Sequence, residues 1–404
     1  MQSSVDAYID SHWNECIKEN MNDVDKLIGL PYPYTVPAVG HFDCMYYWDT
    51  YFTNKGLECS ERYDQSKNNT DDMLYLVDKF GFMPNGNQTN LIKQSQPPFL
   101  SIMVRDVYEH YKDRPWLIGA YEMLRKEYDF WMTNRMSPIG LNQYNGNEPN
   151  KDWTGWAMGY KKRMGGVMPV GDLNDIGHHF HVTCESGWDT NPRWGLEGFN
   201  YVQVDLNSLL YMFEKNMQFF SKVLENGQCE YWRKLADQRA KLMCKYLDDG
   251  NGILLDYNFA KNKHSEIFSA ASFYPMFAAL ISEQRAEKLV ENLFRLETEY
   301  GIVACEKNEA IREKYQWGYP NGWACLHYIV VIGLLNYGYT AEAKRIAKKF
   351  IMLVDKVFEE TGNLWEKYNV VEGNINVNNE YKMPQMMGWS AGVYKALQEL
   401  LERK

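Results

Sequence analysis

The chain has 404 residues, 45% of them hydrophobic, and a formal net charge of -10. That acidity argues against nucleic acid or an anionic membrane as a partner, since both need a basic footprint to release counterions. No apolar run approaches bilayer-spanning length, and eight scattered cysteines without a C-x-x-C pair predict reduced, mostly buried thiols rather than a cysteine metal site.

The opening residues, "MQSSVDAYIDSHWNECIKEN", are acidic and polar where a signal peptide needs an apolar stretch, so the expected location is the cytoplasm. No Pro- or Ser-rich linker divides the chain. Residues 1–30 are read as a helical segment packed on a single catalytic domain spanning 31–404. In chain order, the first strong helical signal follows Pro115, where Leu117, Tyr121, Leu124, Tyr128 and Trp131 step by four and three residues. A second runs from Asp205 through Phe213, Met217, Phe220 and Leu224. A third starts from Ser282 and carries Leu289, Leu293 and Leu296. A fourth takes Thr340 as its N-cap, runs Ala343, Ile346, Phe350, Leu353 and Val357, and stops at Gly362. Glycine also opens three short extended runs, "GLNQYN" at Gly140, "GILLDYN" at Gly252 and "GNLWEKYN" at Gly362. Their spacing predicts two helical hairpins per occurrence and a toroid of paired helices around a central cavity.

Five loop-like stretches are unlike scaffold: "HFDCMYYWDTYF", "PNGNQTNLIKQSQPP", "CESGWDTNPRW", "QWGYPNGWA" and "LWEKYN". They set Trp beside Gln or a carboxylate, a pairing that suits stacking on a sugar ring while its hydroxyls are hydrogen-bonded. The 13 Trp, 29 Tyr and 18 Phe make such faces plentiful, although most rings fill cores. Asp49, Asn85, Gln96 and Gln316 are candidate hydroxyl ligands, and Trp48 and Trp317 candidate faces. Glycoside hydrolysis needs one carboxyl to protonate the departing oxygen and a second to attack or to activate water. Asp189 is the expected proton donor, with Trp188 beside it as an apolar neighbour that disfavours its charge, and Glu366 is the second group. Glu185 reads as structural, because Gly187 and Pro192 argue against a helix that would align it with Asp189. "HHFH" (His178, His179, His181) has no matching carboxylate spacing, so no metal is expected.

Taken together and in order, the five stretches resemble the trehalase family of inverting glycoside hydrolases, over about residues 37–395. "YYWDTYF", "PNGN" with "SQPP", "ESGWD" with "RW", "QW" with "YPNGWA", and "EKYN" with "GW" carry the resemblance. It implies an all-α (α/α)6 toroid of six helical hairpins with short β and loop insertions at the active-site end. It implies Asp189 as general acid and Glu366 as general base, about 6.5–9.5 Å apart. It also places Phe42, Tyr46, Trp48, Asp49, Asn85 and Trp317 around the sugar, with Glu380 of "NEYK" on the base side. The chain departs from the family pattern where arginines give way to His41 and Gln94, which stay candidate contacts, and in lacking an "RPES"-like segment between 145 and 183. Gly318 and Cys325 stand where the family has aspartate and proline.

The expected activity is therefore an inverting α-glycosidase acting on a small disaccharide or glucoside, without a cofactor. The alternatives are a mannosylglycerate- or glucosylglycerate-type hydrolase, for which Lys93, Lys161, Lys162 and Arg163 are the nearby cations, and a sugar epimerase using His41, His178 and His181.

Overall fold

The computed structural model describes residues 3–145, 152–311 and 313–402, and the periodic ladders lie on helices except for the end of the Ser282 series. Arg114–Asn134 buries Leu117, Tyr121, Leu124, Tyr128 and Trp131. Pro115 occupies its first turn, and Asp113 caps it by accepting from Trp116 N at 3.0 Å. Val204–Leu224 buries Phe213, Met217 and Phe220. Glu283–Glu291 is capped by Ser282, and Leu293 and Leu296 are buried just beyond its end. Thr340 is the first residue of its helix rather than the cap, a position taken by Tyr339, and the helix ends at Gly362 with φ 70°.

Six helical segments form an inner ring: Tyr47–Cys59, Leu100–Tyr111, Val204–Leu224, Ala270–Phe277, Ala324–Asn336 and Gly388–Glu402. Each packs on the next and the last returns to the first, which closes the (α/α)6 toroid. Ala324–Asn336 is buried from Ala324 to Val331, as an inner helix must be. Outside the ring lie Tyr63–Phe80, Arg114–Asn134, Cys229–Tyr246, Glu283–Glu291 and Thr340–Thr361. Ser4–His12 lies outside Gly388–Glu402, tied to it by Lys395 to Asp6 at 2.5 Å and by the Ser3–Tyr394 hydroxyl pair at 2.9 Å.

The ring closes on glycine. A Cβ on Gly56 would lie 2.5 Å from the Cα of Gly392, and one on Gly392 would be driven into the carbonyl of Phe52. Gly392→Ala is expected to cost about 1–3 kcal/mol by forcing two packed helices apart. The test is a urea melt, in which an unchanged midpoint would show that the helices separate freely.

The glycine-led runs follow three outer helices, with φ 81° at Gly140, 95° at Gly252 and 70° at Gly362. Two hairpins of the ring separate the second run from the third. Between the first and second there is only one, together with an inserted antiparallel pair, Thr154–Arg163 and Leu173–Ser186. This pair has a small core of its own, built from Ala157, Tyr160, Ile176, Phe180 and Cys184. The strands are short: Asn321–Trp323 pairs antiparallel with Lys367–Asn369, with Trp323 opposite Lys367. Tyr201–Val202, Tyr257–Asn258 and Lys263–His264 form a second sheet, and Ile17–Lys18 with Tyr34–Thr35 a third. All eight cysteines are free thiols, five of them buried.

Candidate active site

Inner-helix N-termini converge on one cavity. Trp48 and Asp49 stand in the first turn of Tyr47–Cys59, Trp323 directly precedes Ala324–Asn336, and Trp389 is the second residue of Gly388–Glu402. The positive ends of the helix dipoles there favour negative charge. The cavity has a volume of about 310 Å³, at the small end of ligand sites. Indole rings form one wall: Trp317 lies flat on Trp323 with centroids 3.8 Å apart, Trp48 is 5.5 Å from Trp317, and Trp389 stands edge-on to Trp323 at 5.6 Å.

Asp189 and Glu366 both border this cavity. Asp189 reaches it because the helix Leu173–Ser186 stops at Gly187, whose φ of 76° reverses the chain. A side chain at Gly187 would strike the Trp48 ring at 2.7 Å. Asp189 Oδ2 accepts from Arg163 Nη1 at 2.6 Å, and the same nitrogen donates to Glu380 Oε2 at 2.7 Å. Burial pushes the Asp189 carboxyl above its ordinary range despite the Arg163 guanidinium, which pulls it down. Glu380, which also accepts from the Thr190 hydroxyl, is pushed up to about 7 by burial and then by the Asp189 charge. Asp49 is pushed up to about 8, first by burial and then by the charge of Glu366.

Glu366 is held differently. Its Oε1 accepts from Tyr381 Oη at 2.6 Å and its Oε2 from Lys367 Nζ at 2.5 Å. Trp389 Nε1 donates to its backbone carbonyl at 2.9 Å. One carboxyl that favours its proton thus shares a cavity with another that receives two hydrogen bonds, an arrangement suited to acid–base chemistry on one bound molecule.

Of the residues singled out from sequence, Phe42, Tyr46, Trp48, Asp49, Asn85, Gln94, Gln96, Gln316 and Trp317 border the same cavity. Gln94 Oε1 has no hydrogen-bond partner among the described residues. Glu380 instead borders an adjoining outer cavity of about 600 Å³, which shares Trp156, Arg163 and Tyr381 with the inner one. His41 and Trp188 do not line the site. His41 is exposed, its ring edge-on to Phe42 at 4.5 Å. Trp188 is fully buried behind Trp317 at 5.1 Å and lies 4.5 Å from the Arg193 guanidinium, so the tryptophans of "CESGWDTNPRW" sandwich an arginine rather than seat the acid. Glu185 is helical after all, since Gly187 ends the helix two residues beyond it. It is fully buried and paired with Arg135 at 2.6 Å, and it holds Ser95 N at 2.9 Å.

Several site residues escaped the sequence reading. Arg163, weighed only as a nearby cation for a glycerate substrate, supplies a guanidinium to Asp189 from within the interval where no family arginine was found; residues 146–151 of that interval lie outside the described residues. Tyr381 and Lys367 stand directly beside Glu380 and Glu366 in the chain, and that adjacency was the available signal. His178 and His181 do not border the cavity. His178 lies flat between Trp153 and Phe199, at 4.9 and 4.5 Å, and the His181 ring is 4.4 Å from Trp156. Among the described residues, no three His, Cys, Asp or Glu side chains gather as they would around a metal ion.

The sequence profile of the Trehalase family matches residues 2–402. The chain belongs to the trehalase family. It is 30% identical to proteins named periplasmic trehalase from Xanthomonas oryzae pv. oryzae and Xanthomonas axonopodis pv. citri, over 100% of its own length and 74% of theirs. The neutral trehalase Nth1 of Saccharomyces cerevisiae superposes with a TM-score of 0.79 at 25% identity, covering 97% of this chain and 79% of that one. A mannosylglycerate hydrolase from Thermus thermophilus, solved with glucose, shares the fold with a TM-score of 0.66 at 17% identity, over 90% and 95% of the two chains. The trehalase-family chain is accordingly a glycoside hydrolase that acts on a small carbohydrate. The expectation of a cytoplasmic location is overturned by the Xanthomonas relatives, which are named as periplasmic. The polar opening of the chain was a poor guide to address because Ser4–His12 is a folded helix, and its polarity reports ion pairs such as Asp6–Lys395.

Proposed function

We propose that this trehalase-family protein is an inverting α-glucosidase that hydrolyses trehalose or a closely similar neutral α-glucoside. Asp189 protonates the departing oxygen and Glu366 removes a proton from the attacking water. The observation that carries this reading is that both carboxyls border one cavity in contrasting surroundings, Asp189 raised by burial and Glu366 receiving two hydrogen bonds. The Trp317–Trp323 stack offers apolar faces, while Asp49, Asn85, Gln94 and Gln96 offer polar groups for hydroxyls. A neutral leaving half is favoured because Arg163, the cation at the cavity wall among the described residues, is already engaged by the carboxyl groups of Asp189 and Glu380.

The test follows anomeric proton signals by NMR while purified protein is offered trehalose, kojibiose, nigerose, mannosylglycerate and glucosylglycerate. Trehalose should yield equal amounts of β- and α-glucose before mutarotation, one from the attacked ring and one from the departing ring. Neutral substrates should exceed the anionic ones at least about tenfold in kcat/KM. Two equivalents of α-glucose, or a preference for a glycerate substrate, would contradict the reading.

A further inference from the structure

Lys367 is fully buried, and a buried ammonium is costly unless it is paired. It belongs to the strand Lys367–Asn369, opposite Trp323, and does not border the cavity itself. Its Nζ meets Glu366 Oε2 at 2.5 Å and lies 4.9 Å from the Trp323 ring and 5.2 Å from the Tyr381 ring. Neighbouring residues of a regular strand point to opposite faces, so this side-by-side pairing requires the backbone to leave the pleat between Glu366 and Lys367. Among the described residues, the other charged or titratable groups that interact with Glu366 are Asp49 on Tyr47–Cys59, Asp189 in the loop after Leu173–Ser186, Cys325 on Ala324–Asn336, and Tyr381. Asp49 and Asp189 repel a charge on Glu366, and Lys367 opposes them.

We propose that Lys367 is the positioning residue for the general base: its buried ammonium, 2.5 Å from Glu366 Oε2, holds that carboxyl in place and aims an oxygen at the attacking water. This rests on the reading of Glu366 as the base. In the step itself a water oxygen bonds to the anomeric carbon, Glu366 takes the water proton, the glycosidic C–O bond breaks, and Asp189 gives its proton to the departing oxygen. Lys367 takes no part in these proton transfers and does not border the cavity that would hold the sugar. Trp323 beneath the ammonium favours the cation further. Tyr381 borders the cavity, so a bound sugar can draw its hydroxyl away from Glu366, whereas Lys367 remains in place.

The experiment compares pH profiles of kcat and kcat/KM on trehalose, or on the panel substrate turned over fastest, for wild type, Lys367→Met, Lys367→Gln, Lys367→Arg and Glu366→Gln. Lys367→Met and Lys367→Gln should lower kcat about tenfold to a hundredfold with KM changed less than about threefold. Their acidic limbs should move to higher pH by about one unit, with part of the lost rate recovered in alkaline buffer. Lys367→Arg, which keeps the charge, should leave the limb near its wild-type position. A folded neutral variant whose acidic limb does not move overturns the proposal. So does failure of both neutral variants to fold while Lys367→Arg folds with full turnover, because the lysine is then a scaffold charge. Glu366→Gln separates the two levels: normal turnover in it removes the base assignment itself, whereas an inactive Glu366→Gln beside an unmoved limb removes only the role of Lys367.

Discussion

Asp189→Asn is expected to lower kcat on trehalose by about 10²–10⁴-fold while leaving KM within a few-fold and the melting curve unchanged. The side chain keeps its size and an oxygen that accepts from Arg163, so the loop has no reason to move. What is lost is the proton. The glucose that departs from trehalose is a poor leaving group as an alkoxide at neutral pH, whereas the fluoride ion of α-glucosyl fluoride departs without protonation, so the variant should retain most of its rate on the fluoride. The pH dependence has a definite sign. Burial raises the Asp189 carboxyl above its ordinary range, so the acid stays protonated further toward neutrality than a free aspartate and loses activity as pH rises through that raised value. Wild-type kcat/KM should therefore fall on the alkaline side, and on the fluoride the Asn variant should lack that limb. An Asn variant with wild-type turnover on trehalose would place the proton donor elsewhere. Glu380 would be the next carboxyl to test, since it shares Arg163 with Asp189.

The ring was legible because its helices must bury a stripe every three or four residues, and the Leu117–Trp131 and Ala343–Val357 ladders are that stripe. That Asp189 and Glu366 would border one cavity was legible because their motifs are local. The surroundings of the acid were not. Trp188 next to Asp189 suggested an apolar seat, yet chain adjacency says nothing about direction: its ring turns onto Arg193, as does that of Trp194. Arg163 stands 26 residues before Asp189 and reaches it only because Thr154–Arg163 folds back on Leu173–Ser186, a tertiary fact with no local signature. The same inserted pair misled the spacing argument, since it fills the interval after Gly140 with a hairpin that is not part of the ring. Glu185 is structural as expected, but the helix that carries it was missed for a simpler reason. Glycine was taken as a helix breaker, but at a left-handed C-cap it is a terminator, and everything before it stays helical.

Arg193→Met is expected to destabilise the fold by about 3–5 kcal/mol, the scale for removing one partner from a buried ion pair. The guanidinium is fully buried and holds two aspartates at once. It donates to Asp256 through Nε and Nη2, each at 2.9 Å, and to Asp205 through Nη2 at 2.9 Å and Nη1 at 3.3 Å. Asp256 also takes Trp194 Nε1 at 2.7 Å and Val204 N at 2.9 Å. Through these bonds the acid-bearing loop is fastened to the first turn of Val204–Leu224 and to the run that follows Gly252. Methionine restores much of the packing between the two indoles but no charge, so both carboxylates are left without their cation. Burial already raises the Asp205 carboxyl, and Arg193 is the group that opposes the rise. Without it, Asp205 takes up a proton more readily in the folded state than in the unfolded one. The loss should therefore be smaller in acid, where protonation relieves the buried charge, and should grow as pH rises through the raised value. Urea melts of wild type and variant at about pH 5.5 and pH 8 test this, with the gap in midpoint expected to widen at the higher pH. Turnover should fall alongside stability even where the variant is fully folded, because Asp189 lies four residues from the lost anchor and its placement against the sugar depends on that loop. A variant that melts like wild type at both pH values would mean that the two aspartates find other donors, and the loop would then owe its position to Gly187 and the Trp317–Thr190 backbone bond at 2.9 Å.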